Sequence, residues 1–356
     1  MIRDPLILTV LRAPQSVATL SLLEWDLLIR QARSANALPR LEAILAHANL
    51  LDDVPAQPRL HMEWARLGSE RHVQAVHTEV SQIQAALPNA DLILLKGAAY
   101  TMADLPAAAG RIFSDIDILV PHESLIEVES ALMAHGWVAT HHDAYDQRYY
   151  REWMHELPPL QHFIRQSVID VHHAILPRTM TMFPDPVRLR AAAVPVAGHE
   201  HLKVLSPVDM VLHSAAHLFY ESEYHNGLRD LGDLDSLLRG FSDEPDFWTT
   251  LAKRSVELEL TRSLFYALRY TNLLLGTPIP KSAIKAVAAG SPPAMILWLM
   301  DAMYLRALLP DHPSCADRFT RLARFGLYLR ATWLRMPTLK LVRHLVHKAV
   351  MSRKEA

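Results

Sequence analysis

Between residues 89 and 121 the hydrophobic pattern changes period, and that change constrains the fold more than any other feature of the chain. From residue 16 to 88 apolar residues recur at three- and four-residue steps, as in "SLLEWDLLIRQARSANALPRLEAILAHANLL" and "HMEWARLGSERHVQAVHTEVSQIQAAL". That is the spacing of helices with one buried face. Pro55 and Pro58 interrupt it, and Pro88-Asn89 ends it. Then "DLILLKG" reads as a short strand closing at a glycine, "AAYTMADL" as one or two helical turns, and "IFSDIDILV" as a second strand. An amphipathic helix "SLIEVESALMAHGW" follows, ended by Gly136, and strands are predicted near "WVATHH" and "SVIDVHHAI". From Ser206 onward the helical period returns, broken at Pro245, Pro278–Pro280, Pro292–Pro293 and Pro310–Pro313. The pattern predicts an α+β chain. A small mixed β-sheet core over residues 89–203 lies between a helical region at 1–88 and another at 204–317, with a basic amphipathic tail at 318–356.

Charge is unevenly placed along these regions. Residues 318–356 hold 10 of the 36 Lys and Arg but one acid, Glu355, which leaves 26 bases against 37 acids elsewhere, a balance of −11. An acidic body argues against a large nucleic-acid footprint, which needs a basic face. Two readings of the tail follow. Its first part, to about Met336, docks on the acidic body and leaves the last dozen residues exposed; or the tail makes a peripheral contact with an anionic membrane. The interruption by Pro337 favours docking. Cys315 is the single cysteine, so no internal disulfide forms, and a cytoplasmic location is expected. The N-terminal apolar run is too short for a signal peptide. Ala294–Leu309 is interrupted by Asp301 and Arg306 and reads as a buried helix, not a membrane span.

The chemistry concentrates in "LLKGAAYTMADLPAAAGRIFSDIDILVP". Residues i and i+2 of a strand face the same side, so Asp115 and Asp117 project together while Ile116 and Ile118 project oppositely. Two carboxylates that close repel unless a positive group lies between them. A divalent metal fills that role, and magnesium favours carboxylate oxygens while leaving positions open for phosphates. Alternatively the acids cap a turn or pair with Arg111 and face solvent. Lys96-Gly97 precedes a short helix, where backbone N–H groups make an anion site. Asp170, in the apolar run "SVIDVHHAI", offers a third strand-borne carboxylate. Three such acids can hold metal ions that activate a hydroxyl and steady a leaving pyrophosphate.

At these residues the chain resembles the polymerase-beta-type nucleotidyltransferase superfamily. Within it, the chain is most similar to a group of bacterial uncharacterised nucleotidyltransferases with the pattern LKG, Arg, DID-L-V and ID-H. The matching residues are Leu95-Lys96-Gly97, Arg111, Asp115 to Val120, and Ile169 to His172, and the likeness extends through "LSPVDMVLHSAAH" and "GLRDLGDLDSLL". It implies that the sheet is a nucleotidyltransferase core. It also implies that Asp115, Asp117 and Asp170 bind Mg2+ or Mn2+ and carry catalysis, Asp170 as third ligand or as base. Lys96, Gly97, Arg111, Ser114 and His172 would bind the nucleotide, an NTP with ATP foremost. One departure stands out: Ala98 follows Gly97 where the superfamily has Ser or Gly, so Lys96 is expected to supply the phosphate contact. Taken by themselves, Lys96 is equally a strand-end lysine that snorkels to solvent and Arg111 a counter-ion for Asp115 or Asp117.

Other residues carry weaker signals. His213 and His217 are spaced i, i+4, compatible with zinc, but no H-E-x-x-H occurs and packed or nucleotide-contacting roles suit them better. Asp230, Asp233 and Asp235 in "GLRDLGDLDSLL" read as helix acids bonded to backbone or to Arg229. Tyr149, Tyr150 and Trp153, near Arg148 and Arg151, could stack a base. The function expected from the whole is metal-dependent nucleotidyl transfer from an NTP to a small-molecule or peptide acceptor, with release of pyrophosphate. The alternatives are a non-catalytic nucleotide-sensing or partner-binding module on the same fold, and phosphoryl or glycosyl transfer from an activated nucleotide.

Overall fold

The computed structural model describes residues 4–141, 143–221 and 224–335. The sheet is α+β in setting and mixed in direction. Its strands are β1 (Leu92–Leu94), β2 (Asp115–Leu119), β3 (Trp137–Ala139), β4 (Leu160–His162), β5 (Val168–His172), β6 (Val194–Pro195) and β7 (Leu202–Val204). They lie in the order β3-β4-β5-β2-β1-β7-β6. β2 pairs parallel to β5 and β1 parallel to β7, and the remaining pairings are antiparallel. The strand with both aspartates is therefore central, held by β5 on one side and β1 on the other. Its apolar residues explain why: Ile116, Ile118 and Leu119 are buried with Ile169, Val171 and Leu94. β4, β6 and β7 were not expected from the sequence. They are two or three residues long, and no apolar run like that of "DLILLKG" marks them in the sequence.

Helices build the rest. The 31-residue helix Ala56–Ala86 begins at Pro55 and carries Pro58 in its first turn. A missing N–H there costs no hydrogen bond, so the two prolines start this helix and do not break it. Ser206 caps the helix Pro207–Tyr220 by accepting from the Asp209 amide, with Pro207 at the first position. That helix buries Asp209, whose carboxylate takes two bonds from Arg254 at 2.8 and 3.0 Å. One buried apolar cluster runs from Ile7 to Leu327 and joins the helices before the sheet, the sheet, and the helices after it.

The first part of the tail forms the helix Thr320–Arg335 and packs on the helix Ala294–Ala307 with Leu327 and Ala331 buried. Arg330 donates to the Phe219 carbonyl at 2.8 Å and to the Tyr304 hydroxyl at 3.1 Å. Arg324 reaches Asp311, and the Arg335 carbonyl accepts from Thr179. The expectation for the last dozen residues falls outside the described residues. Ala294–Ala307 is helical as anticipated but only one side is buried, through Met300, Tyr304 and Ala307; Met295 and Trp298 are exposed. Asp301 tolerates its place because Arg269 and Tyr270 bond it at 2.6 to 3.0 Å. Among the described residues no helix is long and apolar enough to cross a membrane.

Candidate active site

The parallel register of β2 and β5 sets Asp117 opposite Asp170 and Asp115 opposite Val168. Both strands alternate faces in step, so Asp115, Asp117 and Asp170 turn to one side. Each offers a carboxylate oxygen within 4.8 Å of the others. The structure thus brings together the acids singled out in the sequence. Their surroundings differ. Asp117 is buried and contacted by two positive or protonatable groups, Lys96 Nζ at 3.4 Å and His172 Nε2 at 2.9 Å from the same oxygen. Burial alone would raise its pKa, but Lys96 and His172 overcome that and hold it far below the usual carboxylate range. Among the described residues no lysine or arginine pairs with Asp170. Burial, then the neighbouring charges of Asp117 and Glu156, push its pKa up to about 8. Its Oδ1 is buried without a hydrogen-bond partner.

That orphaned oxygen is the test of whether a cation fits. A buried carboxylate oxygen with no donor, beside two further carboxylates, is poorly solvated by the protein alone. An oxygen-preferring divalent ion satisfies all three groups at once, and the donor set, three carboxylates with open positions, suits magnesium or manganese.

The turn after β1 is made at Lys96 and not at Gly97. The left-handed residue is Lys96, at φ 45°, directly after β1; Gly97 has no positive φ and lies inside the helix Lys96–Met102. A lysine in that region is strained by about 1 kcal/mol or more. The turn aims its ammonium at Asp117, and the field of Asp117, Glu221, Asp115 and Glu156 overrides burial to raise the Lys96 pKa. Gly97 is needed for space instead. A Cβ there would meet Arg111 Nη1 at 2.0 Å and Phe113 Cδ1 at 2.5 Å.

Arg111 does not neutralise Asp115 or Asp117. Its Nε donates to Asp233 Oδ2 at 2.6 Å, and Asp233 Oδ1 accepts from Arg40, which also donates to the carbonyls of Ala107 and Arg229. Asp233 is thus a counter-ion for two buried guanidiniums, not an acid bonded to Arg229 as read from the sequence; Asp230 does pair with Arg229, at 2.8 Å. The Arg111 guanidinium lies over the rings of Tyr100 and Phe113, and its Nη1 is buried without a partner. Ser114 Oγ donates to Asp115 Oδ1 at 2.8 Å.

Lys96, Gly97, Arg111, Ser114, Asp115 and Asp117 all line one cleft of about 300 Å³. Its opposite wall comes from the helices Pro207–Tyr220 and Gly227–Phe241, through Ser214, His217, Arg229 and Asp233, and from Glu221 and Asn226 beside them. His217 stands 3.5 Å from Glu221, and His213 is buried behind it. Asp170 and His172 support the floor without lining the cleft. Tyr149, Tyr150 and Trp153 also lie away from it and contact one another on the helix Ala144–Trp153. Glu156, Glu221 and Arg40 had no sequence signal, because nothing in their neighbourhoods departs from ordinary loop or helix composition.

A D-x-D strand, a third acid on its parallel neighbour, and a strand-to-helix turn carrying a lysine make up the candidate site. A family model described as "Uncharacterised nucleotidyltransferase" matches residues 21–276, and the chain belongs to that family. The match reaches beyond the sheet in both directions and includes the helices that supply the far wall of the cleft. No curated protein and no solved structure matches the chain. Family membership assigns nucleotidyl transfer in general.

Proposed function

We propose that this protein transfers a nucleotidyl group from an NTP, ATP foremost, to a small-molecule or peptide acceptor in the presence of Mg2+ or Mn2+. The observation that carries the proposal is the convergence of the Asp115, Asp117 and Asp170 carboxylates within 4.8 Å beside a cleft lined by Lys96 and Arg111. Asp115, Asp117 and Asp170 would hold the cation. When bound, it would neutralise phosphate charge and ease deprotonation of the attacking hydroxyl.

The chain's own groups supply the rest. Lys96 and Arg111 are cationic groups lining the cleft, suited to phosphate oxygens. The Arg40–Asp233–Arg111 network keeps the Arg111 guanidinium fixed, so little order is lost on binding. The acceptor oxygen forms a bond to the α-phosphorus, the bond from that phosphorus to the β-phosphate oxygen breaks, and pyrophosphate leaves. Asp170 is the carboxylate proposed to take up the acceptor proton. The acidic balance outside residues 318–356 favours small or peptidic acceptors over nucleic acid.

Incubation with α-labelled NTP, magnesium and candidate acceptors tests the reading. Addition of one nucleoside monophosphate to the acceptor mass, with equal pyrophosphate release, is the expected result. Nucleotide binding without turnover would make the protein a sensing module, and a gain of a single phosphate would make it a phosphotransferase.

A further inference from the structure

Behind the carboxylates lies a second cluster that the nucleotidyl-transfer reading does not use. Glu156 bridges the backbone of His172 in antiparallel fashion, and the Leu157 amide donates to Val171 at 2.9 Å. These contacts bring His155 and Glu156 against the end of β5. Atoms able to bind a metal on His155, Glu156 and His172 lie within 4.8 Å of one another. None of the three residues lines the cleft.

His172 is the link between the two clusters. Its Nε2 sits 2.9 Å from Asp117 Oδ1. An ionised carboxylate only accepts, so the ring proton is assigned to Nε2, which leaves a lone pair on Nδ1. That Nδ1 faces Glu156 Oε2 at 3.3 Å, yet it is buried and makes no hydrogen bond. Two acceptors facing each other in a buried place require a proton or a cation between them. A proton on Nδ1 would answer for His172 but not for its neighbour. His155 is 8% exposed, and its Nδ1 is likewise buried without a partner. A metal ion held between a ring nitrogen of each histidine and the Glu156 carboxylate, which lie within 4.8 Å of one another, would satisfy these buried groups together.

We propose that His155, Glu156 and His172 form a zinc site. Two imidazoles and one carboxylate suit zinc and are poor ligands for magnesium. His172 would then bind the ion through Nδ1 while donating from Nε2 to Asp117, the carboxylate–histidine–metal relay that fixes ring orientation in zinc centres. In this role the zinc is a positioning device. It holds His172, and through it the carboxylate of Asp117, against the sheet. The proposal does not rest on the nucleotidyl-transfer reading, and either can fail without the other.

The test uses the full chain, stripped with a chelator, reloaded with zinc and freed of excess metal. Elemental analysis is expected to show a single zinc ion per chain that a large excess of magnesium does not displace. His155→Asn and Glu156→Gln should each weaken zinc binding by roughly tenfold or more, while Asp115→Asn should leave it unchanged. Absorption-edge spectroscopy of the zinc-loaded wild-type protein needs no variant, and it should show two imidazole ligands in the first coordination shell. Loss of zinc on dialysis against magnesium, an oxygen-only shell, or zinc binding that depends on Asp115 and not on His155 would each overturn the proposal.

Discussion

Asp117 and Asp170 are register partners on parallel strands, and the protein drives their proton affinities in opposite directions. Asp117 accepts from His172 and faces Lys96, so it stays ionised; Asp170 has no such partner, and burial beside Asp117 and Glu156 raises its pKa to about 8. Two carboxylates pushed apart in this way are the pattern of an acid–base or metal site.

That contrast makes the metal-free protein sensitive to pH. The folded pKa of Asp170 lies above its ordinary value, so the neutral form is favoured by folding. Its contribution to stability is complete below about pH 4 and is lost as the pH rises toward about 8. Asp170→Asn should flatten the decline in melting temperature across that window. Magnesium or manganese must displace the proton, so the thermal shift each produces should be larger near pH 8 than near pH 6. Equal shifts at both values would count against Asp170 as a ligand.

Asp115 is the clean probe of catalysis. It is only partly buried, and its side-chain contact is to Ser114 beside it. Asp115→Asn should lower NTP turnover by roughly a hundredfold or more, the equivalent of about 3 kcal/mol of lost charge stabilisation, with little change in melting temperature. Asp117→Asn would confuse the two readouts. It leaves a buried lysine with less counter-charge, a class of change that costs about 3–5 kcal/mol of stability. Undiminished turnover in Asp115→Asn would assign the acids a structural role.

Lys96→Ala should weaken NTP binding by about tenfold or more, the scale of a charge-assisted hydrogen bond of about 1.5–3 kcal/mol. Titration calorimetry with the magnesium–NTP complex reads the change. A lower melting temperature with an unchanged dissociation constant would limit Lys96 to balancing Asp117.

Gly97→Ala tests the space beside Arg111. The new methyl would lie 2.0 Å from Nη1, so the guanidinium must move and strain its bond to Asp233. A destabilisation of about 1–3 kcal/mol is expected from such overpacking, together with weaker nucleotide binding. Calorimetric melting and the same titration check both. Wild-type values in each would show that Arg111 yields without loss.

The local pattern was enough to read the α+β class, the strand bearing Asp115 and Asp117, and the candidacy of Asp170. Those are period-two and period-3.6 properties of neighbouring residues, and carboxylates in apolar strands advertise themselves. The partnerships were not legible. Arg111 meets Asp233 across 122 residues, and the left-handed turn after β1 falls on Lys96. His172 links Asp117 to Glu156, which lies on a bridge outside the named strands. Sequence spacing determines which side chains share a face of one strand or helix. Which faces meet, and therefore which charges neutralise one another, was decided by how the helices close over the sheet, because burial makes each unpaired charge costly and only the packed chain brings its partner within reach.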